Sequence, residues 1–329
     1  MDIKYKTYIF FVVFIVFTTS CIKEDSSCGA TVTFAYTHNI LSTNAFENQV
    51  DHVTLNVFDK DGILVQQYTN GSMPLTNDFT MRLNNLKYGS YHFVVWAQSK
   101  HLTSDHSYFS IPSLTVGVST IDELTYLMKR ESGIHRHELN NLLIGMTDAV
   151  IDNGKTSITV YLRKVTKKIK VVILPDIPGN ALNVEDYEFS IVDKVSNGHV
   201  NYDYMLLPDE PITYLPYYAA NLEAETAGSL LHGNVDRAIV VEINTSRLLE
   251  ANAPRLYIVE KKGGKKIISM NLPWVFSLTG MENHSEWSLQ EYLDRQDRYT
   301  IILYFSDRTW MPNTIIINGW VIKNKEVEF

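Results

Sequence analysis

The chain has 329 residues, of which 45% are hydrophobic, 12% aromatic and 20% charged. This composition excludes a disordered tail or a collagen-like fibre, because enough apolar material is present to form a buried core, and the length suggests two domains. With 29 lysines and arginines against 37 aspartates and glutamates, the net charge of −8 disfavours a nucleic-acid partner, and two cysteines are too few for a disulfide scaffold.

The first segment predicts export from the cytoplasm. Two lysines precede an unbroken apolar run over 9–17, and small residues then lead to Cys21. This order is typical of a secretory signal, and the apolar run is too short to span a bilayer. Because a bacterial lipoprotein receives its diacylglyceryl group on such a cysteine, we predict a lipoprotein signal peptide over 1–20 and a tether over 21–29 that is acylated on Cys21. The alternative is an ordinary signal peptide that happens to precede a cysteine.

An acidic pair, Glu24 and Asp25, lies just after the predicted lipidation site. It resembles the export signal that sends lipoproteins to the cell surface in Bacteroidales, which implies a surface-exposed position on the outer membrane. The alternative is a solvated tether, since acidic residues are also common in chain exposed to water. If Cys21 is acylated, Cys28 has no partner in this chain, and it is either a small buried hydrophobe or a free thiol.

Strand-type alternation dominates the first half of the remaining chain. Val53, Leu55 and Val57 alternate with polar residues. The next segment, Asp59-Lys60-Asp61-Gly62, predicts a hairpin turn, since Asp and Gly tolerate positive φ. Further strands in this half are predicted over 31–36, 79–83, 91–97, 142–146 and 157–164.

The second half of the chain shows the same strand-type alternation. Ile169, Val171 and Ile173 alternate with other residues, and Lys261–Gly264 predicts a second tight hairpin. Further strands are predicted over 187–192, 238–243, 255–260, 265–271, 299–305 and 314–317.

Short connecting helices are predicted at two capping-box spacings, Thr120 with Glu123 and Ser288 with Glu291. The first helix would continue along Leu124, Leu127 and Met128 on one face. Both helices would be minor elements on a β framework.

The pattern as a whole predicts an all-β protein of antiparallel β-sandwiches, each sheet with one wet face. The basic stretch over 163–168 separates two clear strands and marks the predicted domain boundary. The N-terminal β-sandwich domain would cover 30–165 and the C-terminal β-sandwich domain 166–329. Because the junction is short, we expect the two domains to behave as one stiff rod.

Catalytic motifs are missing from the sequence. His135-Arg136-His137-Glu138 is the densest cluster of histidine and acid, but it lacks the H-E-x-x-H spacing and is interpreted as a solvated loop. The Asp59–Gly62 turn resembles the start of a calcium loop, but Ile63 offers no oxygen ligand. No nucleophile elbow or nucleotide-binding loop occurs, so we predict no enzyme, no cofactor and no metal site. Carboxylate pairs for glycoside hydrolysis stay open, because their spacing is three-dimensional.

Several short motifs share one family pattern: Cys21 with its acidic neighbours and Cys28, V-T-L-N-V-F-D-K-D-G (53–62), Y-H-F-V-V-W-A (91–97), the stretch 157–172, S-L-Q-E-Y-L (288–293), Y-T-I-I-L-Y-F (299–305) and I-I-I-N-G-W-V (315–321). Together they resemble the fimbrial anchor-subunit lipoproteins of Bacteroidales (FimB-like, type V pili). The resemblance covers nearly the whole chain. It implies two tandem transthyretin-like antiparallel β-sandwich domains with short connecting helices, held at the outer membrane by lipid at the base of a fimbrium.

The resemblance also implies a partner, the fimbrial stalk subunit. Stalk subunits of such pili are cut by an arginine-specific protease, which removes a first strand and opens a groove for a neighbour's strand. The present sequence has no arginine between Cys21 and Met81, and its first is Arg82. We therefore expect the first strand and the acyl anchor both to be retained. A subunit that keeps both would terminate polymerisation and pin the base of the fimbrium.

A subunit that accepts no strand has to offer a strand or a face to the stalk. Trp320 and Ile322 alternate with Val321 and Lys323, so they are our candidate contacts with the stalk subunit; the alternative for Trp320 is simple core packing. The predicted partners are thus a stalk subunit and the outer membrane, reached through N-terminal acyl chains such as palmitate. Two other functions stay open: a surface glycan-binding lipoprotein that uses exposed Trp and Tyr, and a fimbrial tip subunit or adhesin.

Overall fold

The structure is a computed structural model that describes residues 28–71, 74–99, 108–152, 155–175, 182–222, 238–305 and 312–322. The predicted signal peptide and the predicted lipidation site Cys21 lie outside these residues. Strands form most of the described chain, which confirms the all-β prediction. No helix in the described part of the chain is both long and apolar enough to cross a membrane.

Two facing sheets form the sandwich of the first half. A three-stranded sheet has the order β10-β1-β4, and a five-stranded sheet has the order β11-β9-β5-β2-β3. Phe34, Leu55 and Phe93 are among the buried residues between them. The strands are β1 (Cys28–Ala35), β2 (His52–Asp59), β3 (Leu64–Asn70), β4 (Thr80–Leu86), β5 (Gly89–Gln98), β6 (Phe109–Ser110), β7 (Thr125–Met128), β8 (Ile134–His135), β9 (Leu142–Ile151), β10 (Thr156–Tyr161) and β11 (Arg163–Lys164).

The second half forms a larger sandwich. A six-stranded sheet has the order β16-β17-β12-β20-β21-β22, and a five-stranded sheet has the order β19-β18-β13-β15-β8. Val171, Ile258 and Ile301 are buried between them. The strands are β12 (Lys167–Pro175), β13 (Tyr187–Asp193), β14 (His199–Asn201), β15 (Ile212–Tyr214), β16 (Tyr218–Leu222), β17 (Ala238–Thr245), β18 (Arg255–Glu260), β19 (Lys265–Asn271), β20 (Arg298–Phe305), β21 (Pro312–Ile317) and β22 (Trp320–Ile322).

The two halves repeat one arrangement of strands. In the first half, β1 pairs in parallel with β10 and antiparallel with β4. In the second half, β12 pairs in parallel with β20 and antiparallel with β17. Each half thus places its first strand between a late parallel strand and an antiparallel strand. We propose to keep the boundary at 165/166 and call the halves the first and second domains.

Both predicted hairpins are confirmed. The β2–β3 turn is held by the Asp59 carboxylate, which accepts hydrogen bonds from the backbone N–H groups of Asp61 (3.0 Å) and Ile63 (2.9 Å), and Gly62 has a φ of +77°. The β18–β19 turn places Gly263 and Gly264 at positive φ. Turn chemistry of this kind acts within a few residues, so it can be inferred from the local sequence.

The predicted strand over 157–164 is two strands with a break at Leu162. β10 belongs to the three-stranded sheet and β11 to the five-stranded sheet, so the chain changes sheets at this point. Gly145 on β9 permits the crossing, because a Cβ there would stand 2.3 Å from the carbonyl oxygen of Tyr161. The break is therefore a corner between the two sheets of the sandwich.

The helices are short, as predicted, but one of the two predicted helices is wrong. Ser288 caps a helix over Leu289–Arg295, its hydroxyl accepting from the N–H of Glu291 at 3.1 Å. At Thr120 the capping box forms, yet it leads only to a 3₁₀ turn, and the chain then extends into β7 because that strand pairs with β14. The α-helices are α1 (Phe46–Gln49), α2 (Leu272–Ser277) and α3 (Leu289–Arg295); 3₁₀ turns cover Ile121–Glu123, Val184–Asp186 and Gly280–Asn283.

An insertion between β5 and β9 joins the first domain to the second. Its strand β7 pairs with β14, and its strand β8 pairs in parallel with β15. Beside these strands Arg130 forms an ion pair with Asp209, in which Nη1 lies 2.6 Å from Oδ2. Because the second domain's sheet includes a strand from the first, the two domains share backbone hydrogen bonds.

The solvated-loop interpretation of the histidine cluster is wrong for His135. This residue lies in β8, and its side chain is buried. Its ring nitrogens are 3.1 Å from the carbonyl oxygens of Lys129 and His137, and Tyr108 stacks on the His137 ring at 4.5 Å. Pairing with β15 buries the segment, so His135 is a structural residue of the contact between the domains.

Candidate functional site

The first candidate site is the sheet around β1, the strand on which the assembly prediction depends. Six consecutive residues of β1, from Ala30 to Ala35, pair with β10, and the opposite edge of the strand pairs with β4. The Thr33 hydroxyl donates to the carbonyl oxygen of Ile158 at 3.2 Å and lies 2.9 Å from the Thr159 hydroxyl. β1 is therefore an inner strand, with backbone partners on both sides.

The inward side chains of β1 belong to the core of the first domain. Val32 and Phe34 are buried, and the Phe34 ring packs against those of Phe46 (6.0 Å) and Phe79 (5.7 Å), which also contact each other (6.5 Å). Burying large apolar side chains supplies about 1.5–3 kcal/mol for each residue. Loss of β1 would expose the whole set, so the strand is an integral part of this sandwich.

The loop after β1 is ordered near its base and exposed at its tip. The side-chain amide of Asn39 donates to the carbonyl oxygens of Tyr36 and Thr43, both at 2.7 Å. Leu41 at the tip is 75% exposed. Arg82, the first arginine of the chain, lies within β4 opposite Thr31, where the chain is held in a paired strand.

The second candidate site is the C-terminal edge of the six-stranded sheet. β21 and β22 form a hairpin whose turn residues, Asn318 and Gly319, both have positive φ. Trp320 is 39% exposed and Val321 66%, whereas Ile322 is 3% exposed and lies in the core of the second domain. Of the two residues predicted to contact a stalk subunit, the structure thus exposes Trp320 and buries Ile322.

A third feature is a group of buried charges at the junction of the domains. The Lys164 ammonium contacts the Asp297 carboxylate and donates to Oε1 of Gln49 at 2.9 Å, so it joins both domains. Burial alone raises the pKa of Asp297, but the ammonium groups of Lys164 and Lys167 outweigh that effect and hold this pKa below its ordinary value. The basic stretch over 163–168 therefore contributes its lysines to the junction.

Lys167 lies deeper in the same junction. Its ammonium donates to the backbone carbonyl oxygens of Asp294 and Gln296, both at 2.9 Å. Burial lowers the pKa of Lys167 to about 8, because removal from water disfavours the charged amine. The lysine thus attaches the start of β12 to the end of α3.

Arg247 and Asp294 complete the junction cluster. The guanidinium donates twice to the carboxylate, through Nε and Nη2, each at 2.7 Å. Its Nη1 donates to the Tyr204 carbonyl at 2.8 Å, and its Cζ lies 4.2 Å from the centre of the Tyr204 ring. The Tyr204 hydroxyl then donates to the carbonyl oxygen of Lys164 at 2.9 Å. Charged and polar groups of both domains therefore form one connected network.

Helix α3 also contacts the loop after β1. Arg295 directs Nη1 at the carbonyl oxygens of Thr37 (3.4 Å) and Asn39 (3.5 Å). Nδ1 of His38 is 3.8 Å from a carboxylate oxygen of Glu291. The loop that ends the first strand is thereby fixed to the second domain.

We predict that His38 makes the protein less stable in acid. Burial, together with the smaller effect of the Arg295 charge, lowers the pKa of His38 to about 4; Glu291 and Asp294 oppose this and Arg163 reinforces it. An unfolded histidine takes up its proton near pH 6.5, so the free energy of unfolding falls as the pH drops from about 6.5 to 4. Urea titrations at pH 7 and 4.5 should show that wild type loses about 2 kcal/mol more than His38→Gln. Equal losses in the two proteins would contradict the assignment.

These three features are suited to strand pairing and rigid packing rather than to bond-making chemistry. Within the described residues no three His, Cys, Asp or Glu side chains are grouped closely enough to hold a metal ion. The distinctive features among the described residues are instead an inner first strand, an edge strand and a buried cluster of charges at the junction.

Comparison with known families agrees with this view. The family model "Mfa2: Fimbrillin-A associated anchor proteins Mfa1 and Mfa2" matches residues 24–326, nearly the whole chain. The chain belongs to this family. Membership in the Mfa2 family associates the chain with fimbriae at the cell surface and with a structural rather than an enzymatic class of proteins. A search among curated proteins finds no match.

Solved structures similar to this Mfa2-family chain include proteins of Bacteroides thetaiotaomicron and Porphyromonas gingivalis. A candidate polysaccharide-binding protein of Bacteroides thetaiotaomicron is 31% identical, with a TM-score of 0.76, and the alignment covers 90% of this chain and 98% of that one. A candidate adhesin of the same species is 26% identical, with a TM-score of 0.78 and coverages of 91% and 98%. The fimbrial anchor protein Mfa2 of Porphyromonas gingivalis, 18% identical, shares the fold, with a TM-score of 0.65 and coverages of 90% and 99%.

Sequence reasoning on this Mfa2-family member missed the junction cluster. Lys164 and Lys167 were visible only as part of a basic stretch, and Arg247 and Asp294 lie far from them in the chain. The one sign in the sequence that Lys167 is buried was the strand-type alternation through 167–173. It places Lys167 on the same face of the strand as Ile169, which is buried.

Proposed function

We propose that this chain anchors the base of a fimbrium to the outer membrane through acyl chains on Cys21 and terminates the polymer there. The observation that carries the proposal is the position of β1 between β10 and β4. A strand donated by a neighbouring subunit would need that same place between two edges. Because β1 already occupies it, the first domain offers no groove to an incoming strand.

The tether in this proposal is short. Six residues separate Cys21 from Cys28, where β1 begins. Even fully extended, the chain from Cys21 to Cys28 spans at most about 25 Å. An acylated Cys21 would therefore hold the first domain close to the membrane surface, and two or more acyl chains would make that attachment persistent.

The contact with the stalk subunit is assigned to β22 in this proposal. In the described part of the chain β22 pairs with β21 alone, so its outer edge carries backbone groups that a partner strand can pair with. Trp320, half exposed at the start of this edge, would contact the partner. Ile322 would hold β22 to its own domain through the core.

A single arginine in the loop after β1 is expected to convert the protein into a cleavable subunit. In Leu41→Arg the new residue stands at an exposed tip, where an arginine-specific protease can bind an extended chain. Leu41→Lys is the matched control, because it adds the same charge without creating that cleavage site. In cells that carry the protease, we expect the arginine variant to yield a fragment that begins at Ser42 and to release fimbriae into the medium. N-terminal sequencing and counts of cell-bound fimbriae measure this.

Two results of the Leu41→Arg experiment would contradict this prediction. If Leu41→Arg is cut at this position, yet fimbriae stay on the cells at wild-type number and length, then an intact link through β1 is not needed for anchoring or termination. Cleavage of Leu41→Lys at the same rate would show that the protease attacks the loop for another reason.

A further inference from the structure

A cleft of about 490 Å³ lies on the five-stranded sheet of the first domain, on the face turned away from β1. This volume falls within the range of small-molecule sites, about 300–1,000 Å³. The cleft is separate from the first strand, the β22 edge and the junction cluster. We call it the polar cleft and define it by the side chains on its floor: Thr54, Asn56, Gln67, Thr69, Trp96 and Gln98.

The register of three strands builds this floor. Alternate residues of β2 point away from the core, and β3 and β5 flank β2 on its two sides. Thr54 lies opposite Thr69 on one side and Trp96 on the other, and Asn56 lies opposite Gln67. The hydroxyls of Thr54 and Thr69 are 3.2 Å apart. Hydroxyl and amide groups thus form adjoining rows beside one tryptophan ring.

Asn56 has a polar atom without a partner. The residue is 0% exposed, and its Oδ1 accepts a hydrogen bond from Nε2 of Gln67 at 2.7 Å, while Nδ2 has no acceptor among the described residues. Exchanging O and N in both amides would keep the bond and leave the oxygen unpaired instead. One polar atom of Asn56, a residue that lines the cleft, is therefore unsatisfied in either orientation.

The opposite wall of the polar cleft is apolar. It is formed by the segment that precedes the 3₁₀ turn at 121–123, with Ile111, Pro112 and Leu114 among its lining residues. The segment is fixed to β3, since the N–H of Gly117 donates to the carbonyl of Leu64 at 2.8 Å and the N–H of Leu64 donates to the carbonyl of Ser119 at 2.9 Å. The wall is therefore held in place by backbone hydrogen bonds.

We propose that the polar cleft binds a neutral saccharide. A sugar ring presents hydroxyl groups at its rim and C–H groups on its faces, which matches an amide and hydroxyl floor beside Trp96 and an apolar wall. No Asp, Glu, Lys or Arg is among the described residues that line the cleft, and the one titratable side chain in its lining is His52, whose ring lies 5.5 Å from that of Trp96. The activity would be carried by a face of the protein that fimbrial anchoring does not use.

The test uses the full-length lipoprotein in a zwitterionic detergent, because sugar-headed detergents would compete for the site. The probes are maltohexaose, cellohexaose, mannohexaose, galactohexaose and chitohexaose, with a sialylated oligosaccharide and a neutral hexapeptide for comparison. Isothermal titration should detect saturable binding of at least one neutral hexaose. Trp96→Ala and the exposed-site variant Gln67→Ala should each weaken that binding about tenfold or more.

Trp274→Ala is the matched control, because Trp274 is a 37% exposed tryptophan on α2, outside the cleft. This variant should bind the hexaose as wild type does. The proposal is overturned if no neutral hexaose binds at millimolar concentration, or if binding survives both cleft variants. It is also overturned if only the sialylated probe or the peptide binds. Gln67→Ala keeps the test valid even if Trp96→Ala fails to fold.

Discussion

Replacing Cys21 by alanine is expected to abolish palmitate incorporation and to remove the protein from the outer membrane. Without the thiol, no diacylglyceryl group can be attached at this position. Each acyl methylene in a bilayer contributes about 0.8 kcal/mol, so the loss of whole chains eliminates persistent binding. Metabolic labelling with radioactive palmitate, combined with separation of outer membranes from medium, measures both effects.

The second cysteine provides the control for this experiment. Cys28→Ala keeps the predicted lipidation site and should incorporate palmitate at the wild-type level and stay in the outer membrane. Fimbriae should be lost from cells that carry Cys21→Ala and kept on cells that carry Cys28→Ala. Undiminished palmitate labelling of Cys21→Ala would show that the anchor is elsewhere, and the proposed attachment would then be wrong.

Removing the carboxylate of Asp294 is expected to destabilise the protein more than any surface substitution. Asp294 is buried and accepts two hydrogen bonds from Arg247 at 2.7 Å, as well as one from Nε2 of Gln290 at 3.1 Å. In Asp294→Ala the guanidinium stays buried without its counter-charge, which costs about 3–5 kcal/mol. Urea unfolding should therefore show a strongly lowered midpoint.

Two further variants separate charge from packing. Asp203→Ala removes an exposed carboxylate and should change the free energy of unfolding by no more than about 0.5 kcal/mol. The double variant Arg247→Met with Asp294→Leu removes both charges and should recover much of the lost stability, because well-packed apolar residues can replace a buried ion pair. If Asp294→Ala is as stable as Asp203→Ala, the junction does not depend on this pair.

The fold class and several turns could be predicted from local patterns. Alternation at Val53, Leu55 and Val57 identifies a strand, and the Asp59–Gly62 turn identifies its hairpin, since both signals arise from neighbouring residues. The same locality explains the wrong helix after Thr120. Its capping box forms as expected, but the residues beyond the 3₁₀ turn are extended because β7 pairs with β14, a strand distant in the sequence.

Some of the functional features can likewise be predicted from the sequence, and others are seen only in the structure. The lipidation prediction at Cys21 and the lack of arginine before Arg82 are properties of sequence alone. The sequence alone does not distinguish Trp320 from Ile322 as a contact with a stalk subunit, since both are apolar residues on one face of a strand. Only the position of β22 at the end of the sheet, with one residue against the core, distinguishes them.

By itself, the amino-acid order determined the class of fold, the places where the chain turns and the cysteine that is a candidate for acylation, because each depends on residues a few positions apart. The tertiary structure alone decided the rest. The parallel pairing of β1 with β10 joins residues about 125 positions apart, the buried lysines contact residues at a similar distance in the chain, and the polar cleft is assembled from segments within 52–124. Such contacts depend on how sheets stack and which edges meet, and local patterns do not encode that choice.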